Sequence, residues 1–287
     1  MKKSALELNG VTKHYKDFKL ENISFSVPQG TIVGLIGENG AGKSTILKTI
    51  LGLIQKDTGS INILGKQEKE IDFTTRNQIG VVFDGNNIPE NSTPKYLNGL
   101  FKNIYLEWDE KKYFSLLKKL SLPTNKKIST FSKGMKTKLS IVVAFSHNSH
   151  LLILDEVTSG LDPVIRDDIL DMLLDYIQDE NNSILVSSHI TSDLEKIADY
   201  IVFIHDGKIL FNELKDTLTN EYGIIKCGAN QFETIDKNIM LAYRKHDYEY
   251  EILVSNRNIA QKNYPHAIII PASIDDIMLI YLKGEKL

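Results

Sequence analysis

The run Gly37-Glu-Asn-Gly-Ala-Gly-Lys43-Ser44-Thr45 has the spacing G-x-x-x-x-G-K-[ST]. Glycines at 37, 40 and 42, with Asn39 between them, let the backbone curl so that successive N–H groups point inward at phosphate oxygens. A helix beginning just after them adds its partial positive charge. Lys43 can reach terminal phosphates, Ser44 is placed to ligand Mg2+, and Thr45 completes the loop. A second run, Leu151-Leu-Ile-Leu-Asp155-Glu156, is apolar and ends in two carboxylates. Asp155 can hold Mg2+ through water, and Glu156 can act as a base toward an attacking water. An apolar strand ending in an acid is ordinary by itself. Together with the glycine loop it points to a bound nucleotide triphosphate and its hydrolysis.

The surrounding patterns supply elements to carry these residues. Ala5–Asn9 alternates and Phe18–Val27 mostly does, as strands do. Thr31–Ile36 is a short β-branched apolar run, expected for a strand buried on both faces, and Ser44–Leu53 has helical spacing. Asp109 is placed to cap a helix through Leu120, ended by Pro123. Ser132 can cap another to about Ser146. Strand signals recur at Leu151–Leu154, Ser183–Ser187 and Tyr200–His205, with helical patterns near 163–179 and 191–199. This alternation implies an α/β fold with a parallel sheet covered by helices. The region from about 86 to 150 reads as a helical insertion. After about 211 the pattern changes: strands at Tyr222–Lys226, Ile239–Tyr243, Tyr248–Val254 and Ile268–Ile270, a hairpin connection at 245–247, and a final helix Ser273–Leu282 with Asp276 completing a capping box. The tyrosines at 243, 248 and 250 read as strand packing.

Composition narrows the field. The 287 residues include 34 Lys or Arg and 37 Asp or Glu, a net charge of −3. That balance does not suit a protein that coats nucleic acid. Hydrophobic residues at 42% and charged residues at 25% suit a globular chain. Cys227 is the single cysteine, so neither an intrachain disulfide nor a Cys metal cluster is available. No stretch approaches the roughly 18 apolar residues of a membrane-spanning helix, and the polar residues after Met1-Lys2-Lys3 do not fit a signal peptide.

These motifs, in this order, resemble the ATP-binding subunit of an ABC transporter over about residues 5–211. The resemblance implies a P-loop NTPase (RecA-like) core with a mixed sheet at about 1–85 and 151–211, a helical subdomain at about 86–150, and a small α+β module at 212–287. It implies ATP and Mg2+ as ligands and a head-to-tail dimer in which each ATP lies between the phosphate loop of one subunit and the signature helix of the other. The usual Leu-Ser-Gly-Gly-Gln signature reads Phe131-Ser132-Lys133-Gly134-Met135 here. Ser132 and Gly134 are kept and would face the partner's ATP. Tyr15 aligns with the aromatic that stacks on adenine, with Phe18 and His14 as rivals. Asp162, in Ser159-Gly-Leu-Asp162-Pro163, would speak across the dimer. His189 resembles the switch histidine that touches the γ-phosphate, making Glu156, His189 and Lys43 the catalytic set.

One position departs from the family. Where a glutamine normally senses the metal and water, this chain has Asp84, with Asn86 and Asn87 close behind. Aspartate can approach Mg2+ but is shorter and donates no hydrogen bond. The signature and short tail resemble bacterial exporters of drugs, antimicrobial peptides and lantibiotics. That implies a separately encoded transmembrane permease, a homodimer or a heterodimer with a related ATPase subunit, no nucleic-acid partner, and a cytoplasmic, peripheral position on the inner face of the membrane. A soluble ABC ATPase acting on ribosomes or DNA and an importer subunit are the alternatives.

Overall fold

The alternating apolar residues of the N-terminal region form long antiparallel strands in the computed structural model, which describes residues 3–83 and 88–285. Strand β1 (Ser4–His14) pairs antiparallel with β2 (Lys19–Pro28). The short, wholly buried β3 (Ile32–Ile36) leads into the glycine loop and helix α1 (Lys43–Ile50). Then follow β4 (Thr58–Ile63), the short β5 (Lys66–Gln67), α2 (Phe73–Asn77) and β6 (Ile79–Val82). Helices α3 (Pro94–Phe101), α4 (Glu110–Lys119) and α5 (Lys133–Phe145) fill the stretch read as helical. The chain continues through β7 (Leu151–Asp155), α6 (Pro163–Tyr176), β8 (Ser183–Ser188), α7 (Thr191–Ile197), β9 (Tyr200–His205) and β10 (Lys208–Leu214). Two compact units result. The first runs to Ala198 and takes in Ile204–Leu210; the second comprises Asp199–Phe203 and the chain from Phe211 onward.

Two sheets position the site in the first unit. Strands β3, β8, β7 and β6 lie side by side in that order, all parallel. Every residue of β3, β7 and β8 is buried, as expected for strands covered on both faces. Burying each Leu or Ile side chain there contributes about 1.5–3 kcal/mol. The second sheet has the order β2-β1-β4-β5, with Thr12 opposite Thr58. The parallel register sets Asp155 opposite Ser187, so the acidic strand end and the strand leading to His189 finish together.

The helical stretch closes its ends as its sequence dictates. The Asp109 and Ser132 side chains accept the backbone N–H of Lys112 and Met135. The end of α4 comes before Pro123: Ser121 takes a left-handed φ of 55°, and the Leu122 N–H returns to the Leu117 carbonyl at 2.9 Å. This Schellman closure stops the helix without the proline.

His147 follows α5 and is buried, its Nδ1–H donating to the Asn77 carbonyl at 2.9 Å and its ring stacked 4.0 Å from Tyr105. Burial lowers its pKa below the ordinary 6.5. The unfolded chain therefore takes up a proton near pH 6.5 that the folded chain refuses. The stability is fully present above that pH and is lost as pH falls toward the depressed folded value, by at most about 1.4 kcal/mol per pH unit. Urea titrations between pH 7 and pH 5 should show a steeper loss in the parent than in His147→Gln; parallel profiles would refute this.

The second unit adds α8 (Lys215–Asn220), β11 (Gly223–Cys227), α9 (Ala229–Phe232), β12 (Met240–Lys245), β13 (Tyr250–Val254), α10 (Arg257–Asn263), β14 (Ile268–Pro271) and α11 (Ile274–Lys283). Its antiparallel sheet has the order β12-β13-β11-β14. Ile225, Cys227, Met240, Ile252 and Val254 form much of its core. Burial raises the Cys227 thiol pKa, which keeps it unreactive. Ser273 and Asp276 make the reciprocal capping box of α11. Phe232 stacks on Tyr250 at 4.1 Å and packs against Tyr243, whereas Tyr248 is 94% exposed at the hairpin turn and packs in no strand.

Candidate functional site

The loop from Gly37 to Gly42 leaves the C-terminal end of β3, where the buried strand must release the chain. Asn39 and Gly40 are exposed at its tip, while Gly37 and Gly42 are buried. Gly42 stands immediately before α1 with φ 115°, and a Cβ there would lie 2.7 Å from Leu20 Cδ2 and 2.9 Å from Phe18 Cζ. Only glycine combines that φ with that proximity. The back of the loop is held by the turn between β9 and β10. The Gly207 N–H donates to the Ala41 carbonyl at 3.0 Å, and the Glu21 N–H donates to the Gly207 carbonyl at 2.8 Å. At Gly207 an added Cβ would fall 1.8 Å from the Lys19 carbonyl oxygen.

Lys43 begins α1 and curls back under the loop. Its ammonium donates to the Gly37 carbonyl at 2.7 Å and to the Glu38 carbonyl at 3.3 Å. It also lies 3.2 Å from Glu156 Oε1, both side chains being largely buried. That contact is an ion pair without hydrogen-bond alignment, so Oε1 is a buried acceptor with no hydrogen-bond donor. The other oxygen, Oε2, takes the His189 Nδ1–H at 2.6 Å and the His189 backbone N–H at 3.3 Å. Glu156 adopts φ 52°, an uncommon left-handed conformation for a side-chain-bearing residue and one that recurs at functional sites. Its own N–H donates to the Ser187 carbonyl. The structure thus gathers Lys43, Glu156 and His189 into one cluster at the sheet's C-terminal end.

Asp155 is 4% exposed, and the Ser187 hydroxyl donates to its Oδ1 at 2.5 Å. Ser187 is a residue that motif reading passed over. The signal was a pair of adjacent serines, Ser187 and Ser188, at the end of a fully buried strand and directly before His189. Ser44 and Thr45 are half-buried in the first turn of α1.

Ser132, Gly134 and Asp162 form a second group. Ser132 is exposed at the N-cap of α5. Gly134 sits where a Cβ would come 2.8 Å from Ile165 Cδ1, so the first turn of α5 packs closely on α6. Asp162 caps α6 by accepting the Ile165 N–H at 3.0 Å. Tyr15 is 45% exposed after β1, its N–H donating to the Phe18 carbonyl. The two rings lie 6.4 Å apart, and Phe18 abuts Gly42 of the loop as above. Asp84, Asn86 and Asn87 lie outside the described residues.

The chemistry of this donor set suits a nucleotide triphosphate. A curled loop preceding a helix, an ammonium at its base and a buried carboxylate with an unmet oxygen are what phosphates and an attacking water require. Residues 20–159 match the family described as ABC transporter. The lantibiotic transport ATP-binding protein SrtF of Streptococcus pyogenes is 35% identical, over 75% of this chain and 93% of its own length. The ABC transporter ATP-binding protein YtrB of Bacillus subtilis is 27% identical, over 93% of this chain and 94% of its own. A solved ATP-binding subunit of an ABC transporter is 31% identical, with a TM-score of 0.68, covering 75% of this chain and 92% of that one.

Proposed function

This chain belongs to the ATP-binding subunits of the ABC transporters, and on that premise we propose how its residues hydrolyse ATP and what the hydrolysis drives. It is an ATPase of that family and binds ATP. Adenine stacks on Tyr15. The loop amides of Gly37, Asn39, Gly40 and Gly42 surround the β-phosphate with those of Ser44 and Thr45, and Lys43 moves from the Gly37 carbonyl to the terminal phosphates. Glu156 takes the proton of the water that attacks the γ-phosphorus, as the bond to the bridging oxygen of ADP breaks and inorganic phosphate leaves. His189 fixes Glu156 and contacts the γ-phosphate. The observation that carries this reading is the Lys43–Glu156–His189 cluster beneath the glycine loop.

Ser44 and Asp155 would hold Mg2+, with Asp84 as a further ligand outside the described residues. The ion would neutralise charge on the β- and γ-oxygens. The Asp155 carboxylate, buried at the end of β7 with Oδ1 bonded to the Ser187 hydroxyl, suits an ion held through water. Ser132, Gly134 and Asp162 serve the ATP of a second subunit, either an identical copy or a related ATPase. Their exposure or placement at helix starts supports that role.

No helix of the described residues is long and apolar enough to cross a membrane. In this reading the subunit works at the cytoplasmic face on a separately encoded permease, as its membership of the transporter family supports, with residues 1–211 acting as the ATPase domain and 212–287 as an accessory module. The likeness to a lantibiotic transport protein supports export of an antimicrobial peptide. A tagged chain isolated from membranes in mild detergent should bring down a multi-spanning membrane protein, identified by mass spectrometry. Recovery of ribosomes instead, with no membrane protein, would overturn the transporter assignment and leave the ATPase standing.

A further inference from the structure

Tyr15 presents an aromatic ring from an exposed turn, and an exposed turn does not by itself hold a ring in place. Stacking strength depends on how much freedom the ring loses on binding. The residues around it show what limits that freedom. β1 ends at His14, and the residue just before β4, Asp57, meets this end with its whole carboxylate. Oδ2 accepts the His14 backbone N–H at 2.7 Å and lies 3.0 Å from His14 Nδ1. Oδ1 accepts the Lys13 ammonium at 2.9 Å. The Asp57 backbone N–H donates to the Thr12 carbonyl at 2.8 Å. Lys13, so held, places Nζ 5.8 Å from the centre of the Tyr15 ring.

We infer that Asp57 is a positioning residue for the nucleotide base: it locks the end of β1 and holds the Lys13 ammonium against Tyr15, so that the ring is preset to stack. The inference rests on the reading of Tyr15 as the adenine platform. A cation beside the ring is attracted to its π face. It also occupies space the ring would otherwise sweep, which leaves the base the remaining face. Four contacts converge on one residue, three of them on its carboxylate, and three adjacent residues of β1 supply them. That is more than a strand end needs to stop fraying. Lys13 and His14 bonding hold the Asp57 carboxyl well below the ordinary carboxylate range, so it remains ionised throughout the working pH range.

The test separates base recognition from phosphate recognition. Binding of ATP and of inorganic tripolyphosphate, which has no base, is measured by calorimetry for the parent, Tyr15→Ala, Asp57→Ala and the double variant. Tyr15→Ala should weaken ATP about tenfold, as loss of a stacking platform does. Asp57→Ala should weaken ATP about threefold or more and leave tripolyphosphate unchanged. The double variant should bind ATP no more weakly than Tyr15→Ala, because Asp57 acts through that ring. Asp57→Asn, which keeps the size and an acceptor for the His14 N–H, guards against a folding defect and should also raise the KM for ATP with kcat unaltered. Additive losses, unchanged ATP binding, or equal losses for ATP and tripolyphosphate would overturn the proposal. Parent-like ATP binding by Tyr15→Ala would overturn the stacking reading, and the proposal with it.

Discussion

Glu156→Gln should reduce ATP turnover by about 10²–10⁴-fold, the usual contribution of a positioned general base. The substitution is nearly isosteric. A glutamine carbonyl can still accept the two His189 N–H bonds that Oε2 accepts now, so the left-handed turn at 156 has its anchors. What it loses is the ability to take a proton from water. It also removes the negative charge that draws Lys43 down from the loop. ATP affinity should therefore stay equal to the parent's or improve, and the ATP-bound dimer should accumulate because its exit by hydrolysis is blocked. Light scattering with ATP and Mg2+ reads the dimer, and a phosphate-release assay reads the turnover. Turnover within about tenfold of the parent would remove Glu156 from the role of base.

Lys43→Ala should show two effects with opposite dependence on nucleotide. With ATP, the lost charge-assisted bonds to phosphate should weaken binding about 10–100-fold or more. Without ATP, the same substitution strips Glu156, whose side chain is only 13% exposed, of its ion pair. The carboxylate then retains only His189, and the nucleotide-free chain should lose roughly 1–3 kcal/mol of stability. Adding Glu156→Gln to Lys43→Ala should restore much of that stability by removing the charge, and should restore none of the binding. Denaturant titration of the four chains without nucleotide makes this measurement. Additive stability losses, or full ATP affinity in Lys43→Ala, would contradict the arrangement.

Most of this site could be read from residue types because its chemistry demands particular ones at short spacings. The glycine loop, Lys43 and the Asp155-Glu156 strand end are contiguous motifs. The caps at Asp109 and Ser132 are equally local, each a side-chain oxygen accepting an N–H three residues on. What escaped was non-local or weakly patterned. Strand β4 buries only Ile61 and Ile63 fully, too short a pattern to stand out, yet its pairing with β1 brings Asp57 to Lys13. Helix α10 buries only Ala260, so its sequence carries no apolar stripe. Ser187 belongs to the site only because the parallel register sets it opposite Asp155. The α4 terminus is set by Ser121 at positive φ, a residue type that gives no stop signal in the sequence, whereas Pro123 does.

The turn that props the phosphate loop has a consequence for how the protein is made. The glycine loop leaves the ribosome well before Gly207, which donates to Ala41 and receives from Glu21. At about 5–20 residues per second, the loop waits on the order of ten seconds or more for its support, and for Glu156 and His189 as well. During that interval the nascent chain has the motif without the site. Cellular ATP, abundant as it is, cannot stabilise a partly synthesised subunit through this pocket, because a ligand stabilises only the form that binds it. Newborn chains must reach the turn on their own packing, and only then does the nucleotide begin to hold them folded.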